Sequence, residues 1–210
     1  MYKLVIFDFD GTLADSFGWF LDVFDEVADH FRFRRLDRDR IDEFRRLSPR
    51  DLLRHHGVPL WKVPMIAAHA RTLQGRHLGA ITVFAGMDRV IADLYARGVA
   101  LALVTSNAHA NIAHILGPDT LSAFSHVACG ASLLGKASKF RAALKATGTA
   151  PGDTLAIGDE LRDLEAARAA GIAAGAVGWG YALPERLHAA TPDHFFERPA
   201  QITDLLTRSG

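Results

Sequence analysis

The chain has 210 residues, about 1.4 times a typical domain, which suits one core carrying an insertion better than two equal halves. It is 49% hydrophobic and 23% charged, with 24 Lys+Arg against 24 Asp+Glu. This composition excludes a disordered chain, the charge balance gives no field to gather nucleic acid or an anionic membrane, and the single cysteine, Cys129, excludes an internal disulfide or a paired-cysteine zinc site. Met1–Lys3 lead into an apolar strand without the features of a secretory leader, and runs such as Val99–Val104 are too short to span a bilayer, so a cytoplasmic setting is expected.

In chain order, the first predicted element is a strand over Leu4–Phe9. Some seventy residues then intervene before the next strand, where one crossover helix needs only about a dozen. They read as helices over Phe17–His30, Asp37–Leu47, Arg50–His56 and Val63–Leu78, broken at Ser48-Pro49 and Gly57-Val58-Pro59. Beyond them, helical periodicity over Met87–Arg97 stops at Gly98, and a strand follows at Val99–Val104. Further strands are expected at Ser125–Cys129, Thr154–Ile157 and Ala174–Val177, with helices at Phe140–Thr147 and Leu161–Ala170. The strands are nearly continuous apolar runs, the pattern of a sheet covered on both faces. The expectation is an α/β fold, a Rossmann-like parallel sheet core (1–14 and 85–210) with an inserted all-helical cap domain (15–84).

The chemistry concentrates where strands end. Asp8-Phe9-Asp10-Gly11-Thr12-Leu13 follows Leu4-Val5-Ile6-Phe7, and alternation along a strand would turn Asp8 and Asp10 to one side, into the crevice where open α/β sheets bind ligands. Two adjacent carboxylates repel unless a cation or proton intervenes, and hard oxygen donors favour Mg²⁺. Thr105-Ser106-Asn107 after the second strand offers small polar groups and backbone N–H donors suited to phosphate oxygens. Gly158-Asp159-Glu160-Leu161-Arg162-Asp163 places Asp159 at a strand end and Asp163 one helical turn on. Lys136 is the favoured cation for a phosphoryl group, with Lys139 one turn later as its rival.

These ordered runs, with the continuation Ala14-Asp15-Ser16, resemble the four motifs of the haloacid dehalogenase superfamily. Gly178-Trp179-Gly180-Tyr181 and Thr191-Pro192-Asp193-His194 are similar to the closing segment of its phosphoglycolate phosphatase-like members. A departure is Ala137 after Lys136, where many relatives carry proline. The resemblance implies Asp8 as nucleophile and Asp10 as general acid/base, with Thr105 and Lys136 holding the phosphoryl oxygens. It further implies Mg²⁺ on the Asp8 and Asp159 carboxylates and the Asp10 carbonyl, supported indirectly by Asp163. Asp10 argues for phosphoryl transfer over dehalogenation, since an alcohol leaving group needs an acid.

The expected activity is Mg²⁺-dependent hydrolysis of a small, phosphoglycolate-like phosphomonoester through an aspartyl-phosphate, by a monomer or a homodimer. A phosphomutase, or a non-catalytic phospho-ligand binding or signalling protein on the same fold, is the alternative. Ser106 and Asn107 are expected to bind substrate. Arg32–Arg54 carries nine arginines against five acids, a pattern that usually marks a solvated face; Arg50 is the candidate to read a second anionic group.

Overall fold

The computed structural model describes residues 2–130 and 135–207. Residue 1, residues 131–134 and residues 208–210, all within the expected core boundaries, lie outside the described residues. The first half of the chain runs β1 (Leu4–Phe7), β2 (Ala14–Asp15), α1 (Phe17–Phe31), α2 (Ile41–Arg45), α3 (Pro49–His56), α4 (Val63–Arg76), β3 (Thr82–Val83) and α5 (Met87–Ala96). The second half runs β4 (Ala100–Val104), α6 (His109–Ser122), β5 (Phe124–Ala128), α7 (Lys136–Thr147), β6 (Thr154–Gly158), α8 (Leu161–Ala170), β7 (Ala173–Val177), α9 (Pro184–Ala189), β8 (His194–Phe196) and α10 (Ala200–Thr207).

Six strands form one sheet in the order β5-β4-β1-β6-β7-β8, and every pairing in it is parallel. Alternation within β1 explains its unbroken apolar sequence. Val5 and Phe7 pack on one face with Met87, Ile91 and Leu94 of α5, while Leu4 and Ile6 pack on the other with Phe140 of α7 and Leu164 of α8. Among the described residues, no helix is long and apolar enough to cross a membrane.

The helices α1–α4 leave and rejoin the sheet through β2 and β3, which pair antiparallel with Ala14 opposite Val83 and Asp15 opposite Thr82. The two connections are thus tied into one ribbon beside the end of β1. Within this insert, α3 starts on Ser48, whose hydroxyl accepts from the Asp51 N–H at 3.1 Å. His56 fills the interior, its ring 4.8 Å from Phe24 and its Nδ1 2.8 Å from the Arg34 carbonyl. Burial lowers the His56 pKa, so this histidine is a packing residue of the insert.

Candidate active site

β1 ends at Phe7, two residues before the expected end. The carbonyl of Phe9 then accepts from the N–H groups of Thr12, Leu13 and Ala14, and the chain turns back on itself with Gly11 at φ +76°. As a result Asp8 and Asp10 do not share one face of a strand. Asp8 turns to Lys136, whereas Asp10 turns to Gln74 and Asn107. The carboxylate crowding expected between positions 8 and 10 instead involves the buried residues Asp8, Asp159 and Asp163, each of which places one oxygen within 4.8 Å of the others'.

Asp8 and Asp159 lie one residue beyond the ends of β1 and β6, and Asp163 lies in α8. Pairing of Phe7 with Ile157 brings the ends of β1 and β6 together, and Asp163 closes the first turn of α8. Asp8 Oδ1 accepts from the Phe9 N–H at 2.8 Å. The Lys136 ammonium sits 2.7 Å from Asp8 Oδ2 in a buried ion pair, and among the described residues no other donor reaches that oxygen. Lys136 also donates to Asp163 Oδ1, while Asp163 Oδ2 accepts from the Glu160 N–H at 3.0 Å. Both oxygens of Asp163 are therefore engaged in orienting neighbours. Lys139 turns elsewhere, donating to the Cys129 carbonyl, so of these two lysines it is Lys136 that contacts the cluster.

Among the described residues, no cation is in direct contact with Asp159. Its Oδ1 accepts from the Thr12 hydroxyl and its Oδ2 from the Tyr181 N–H, each at 2.8 Å. Two glycines admit it. A Cβ at Gly11 would lie 2.2 Å from Asp159 Oδ2, and one at Gly180 would lie 2.2 Å from Asp159 Cβ and 2.5 Å from the Gly11 carbonyl. Burial pushes the Asp8 carboxyl up to about 6 against the pull of Lys136, and it raises Asp159 well above the ordinary range, with Glu160, Asp163 and Asp8 adding repulsion. For Asp163 burial acts upward too, but Lys136 and Arg162 outweigh it and hold the group low. The three buried carboxylates have one ammonium among them, and the nearby Arg162 is itself paired with Glu160, which leaves negative charge uncompensated at the cluster. An all-oxygen donor set of this charge fits a divalent metal ion.

Asp10 is the centre of a second arrangement. Its Oδ1 accepts from Gln74 Nε2 and its Oδ2 from Asn107 Nδ2, each at 2.9 Å. Asn111 Nδ2 lies 3.2 Å from Gln74 Oε1 and 3.0 Å from Asn107 Oδ1, joining α4 of the insert to α6 of the core. Asn107 is buried, with its amide N–H₂ group facing Asp10 and its oxygen accepting from the Ala108 N–H at 2.7 Å.

Thr105 is buried at the end of β4, where its hydroxyl accepts from the Asn107 N–H at 3.0 Å. Ser106 is half-buried, and Arg71 of α4 reaches its carbonyl at 3.4 Å. Arg50, at the exposed start of α3, is not on the wall of the cavity between insert and core. Arg45 is there instead. Its Nε donates to the Tyr181 carbonyl at 2.8 Å and its Nη2 to the Gly180 carbonyl at 3.0 Å. Gln74, Asn111, Arg45 and Tyr181 were not singled out from the sequence as site residues. Tyr181 and Gly180 do fall in the closing segment that carried the resemblance, while Gln74 and Arg45 lie in ordinary amphipathic or charge-rich helices with no local signature.

The family description "Haloacid dehalogenase-like hydrolase" matches residues 5–177. The chain belongs to this family. It is also 32% identical over 207 residues to the phosphoglycolate phosphatase of Synechococcus elongatus, a match covering 98% of each chain. The tyrosine-protein kinase PtkA of Mycobacterium tuberculosis is 29% identical over 208 residues, covering 93% of this chain and 72% of that protein. Among solved structures, a haloacid dehalogenase-like hydrolase from Streptococcus pneumoniae superimposes with a TM-score of 0.80 at 19% identity, covering 98% of this chain and 99% of the other. CbbY from Rhodobacter sphaeroides, crystallised with phosphate, gives 0.75 at 22% identity over 96% of each chain. The α/β core and the helices inserted after β1 are thus the family's fold, and the chain is an enzyme of its phosphatase type.

Proposed function

We propose that this protein is a Mg²⁺-dependent phosphatase that hydrolyses a small phosphomonoester through an aspartyl-phosphate on Asp8. The observation that carries this reading is the buried cluster itself, in which Asp8 Oδ2 meets only the Lys136 ammonium among the described donors and the Asp159 and Asp163 carboxylates stand beside Asp8. A nucleophile needs a lone pair that can turn to phosphorus, and the developing phosphoryl charge needs a fixed cation next to it.

Asp8 Oδ2 attacks phosphorus as the bond to the ester oxygen breaks, and Asp10 gives that oxygen its proton. Water then attacks the acyl-phosphate, Asp10 takes the water's proton, and inorganic phosphate departs, restoring Asp8. Gln74 and Asn107 hold Asp10 in orientation through both steps while leaving each of its oxygens a further lone pair. Lys136 and the loop at Thr105 and Ser106 hold the phosphoryl oxygens. The Asp8 and Asp159 carboxylates, with the Asp10 carbonyl, would hold Mg²⁺, Asp163 supporting them through Lys136. The ion would supply charge neutralisation for the transferring group. The inserted helices act as a cap that keeps bulk water from the site.

The test is phosphate release from a panel of monoesters in the presence of Mg²⁺. Phosphoglycolate stands first in that panel because of the Synechococcus relative's name. We expect turnover by the wild type and none by Asp8→Asn, with radiolabelled phosphate trapped on the wild type alone. Turnover surviving in Asp8→Asn would remove Asp8 as nucleophile. A label that passes from the enzyme to a sugar or a protein hydroxyl faster than to water would replace hydrolysis with transfer, as in a mutase or as the likeness to PtkA suggests.

A further inference from the structure

Between the insert and the core lies a cavity of about 220 Å³. Phe17, Phe20 and Phe24 of α1 and Phe44 of α2 line it from the insert, and Asp10 and Tyr181 face it from the core. The aromatic rings stand around one space. Tyr181 lies 5.1 Å from Phe17 and 5.7 Å from Phe20, centroid to centroid, and Phe20 lies 5.5 Å from Phe24. The Tyr181 hydroxyl is already paired with Ser16 at 3.0 Å, so the ring presents its apolar body to the cavity.

Three arginines also border this space, and each has acceptors within the protein. Arg45 holds the carbonyls of Gly180 and Tyr181, Arg186 donates to the Leu47 carbonyl, and Arg162 pairs with Glu160. A carboxylate placed here would have to share an arginine already turned to a protein acceptor, and it would be desolvated among phenylalanines. An apolar group meets the opposite situation. A dry cavity of about 150 Å³ with similar lining takes a benzene molecule, so this one has room for a ring with a short linker.

We propose that this cavity receives the leaving group, and that the substrates are phosphomonoesters whose alcohol carries an apolar, ring-sized group. The inference rests on the reading of Asp8 as nucleophile and Asp10 as acid. Asp10 lines the cavity while Asp8 and Lys136 do not, so the space opens on the side where the departing oxygen takes its proton, away from the phosphoryl group. The chemistry is unchanged: the phosphorus–oxygen bond breaks, the released alcohol carries the ring, and the proton comes from Asp10.

The experiment compares benzyl phosphate, ethyl phosphate and phosphoglycolate, whose leaving hydroxyls differ little in acidity, so that the comparison reads binding of the alcohol and not its intrinsic reactivity. We expect kcat/KM for benzyl phosphate to exceed both others by at least about 10-fold, since a single methylene in a fitted apolar pocket can already be worth that much. Phe20→Ala should shrink the preference. Because that change could loosen α1, Leu52→Phe, which fills the cavity from α3, provides a second check and should lower benzyl phosphate turnover more than ethyl phosphate turnover. Phosphoglycolate equal to or better than benzyl phosphate, or a preference untouched by both variants, overturns the substrate class while leaving the phosphatase reading in place. No Asp8-dependent phosphate from any of the three esters overturns that reading and this proposal with it.

Discussion

Asp8 and Asp10 are separated by one residue, yet their surroundings differ. Asp8 is enclosed with other carboxylates and an ammonium, whereas Asp10 is gripped by two amides, one of them from the insert. The sequence announces Asp8, Asp159 and Lys136 because short motifs at strand and helix ends mark them. It does not announce Gln74, which reaches Asp10 from 64 positions away on a helix whose pattern signals only packing. If Gln74 orients the acid, Gln74→Leu should lower kcat about 10- to 100-fold for an alkyl phosphate, the scale of a small misplacement of a catalytic group, with little change in KM. The loss should shrink for p-nitrophenyl phosphate, whose phenolate departs without needing a proton. An equal loss on both esters would mean that Gln74 supports the structure and not the acid.

At the scale of elements, the buried strands were legible because both faces of the sheet demand aliphatic residues, and four of the five predicted strands fall within a residue of the observed ones. The fifth, Leu4–Phe9, stops early because backbone bonding to the Phe9 carbonyl overrides alternation. The pieces missed are short ones, with too few residues to show a period: the two-residue strands β2 and β3, the three-residue β8, and the short helices α9 and α10. In α6 the pattern is broken by Gly117 at φ +74° and Pro118. Contacts between elements were less legible still. The Arg32–Arg54 charge run reads as solvated, and most of it is, but Arg45 crosses from α2 to the loop whose Tyr181 N–H donates to Asp159. Its guanidinium also stands 5.0 Å over the Phe17 ring. Arg45→Leu should therefore cost about 2 kcal/mol through two stranded carbonyls, lowering Tm by about 4–8 °C. Arg46→Ala, which breaks an exposed 3.5 Å pair with Glu185, should move Tm by only about 1–2 °C, and calorimetry on the two variants compares them directly. Similar shifts for both would remove Arg45 as a tie between insert and core.

For the molecule as a whole, the buried carboxylates are a folding liability that a cation relieves. A raised pKa means the folded state holds its proton more tightly than the unfolded chain does. Stability is therefore lost as pH rises from the ordinary carboxylate range to about 6 for Asp8, a cost of about 3 kcal/mol once that group is ionised. Asp159 acts in the same direction, and Asp163, held low, acts in the opposite one. Exposed pairs such as Lys3 with Asp153 also shift with pH, so the absolute Tm is a mixed signal and the change produced by Mg²⁺ is the one to read. The ion requires ionised ligands and must displace any protons they hold, which weakens its binding in acid. At a hundredfold excess over Kd it should add about 2.7 kcal/mol, or about 5–10 °C in Tm, near pH 7.5, and clearly less near pH 5. Asp159→Asn should abolish most of the shift at the higher pH, since it removes the cluster carboxylate that no lysine or arginine among the described residues touches directly. A Tm response to Mg²⁺ of equal size at both pH values, or one retained in Asp159→Asn, would place the ion's binding site away from this cluster.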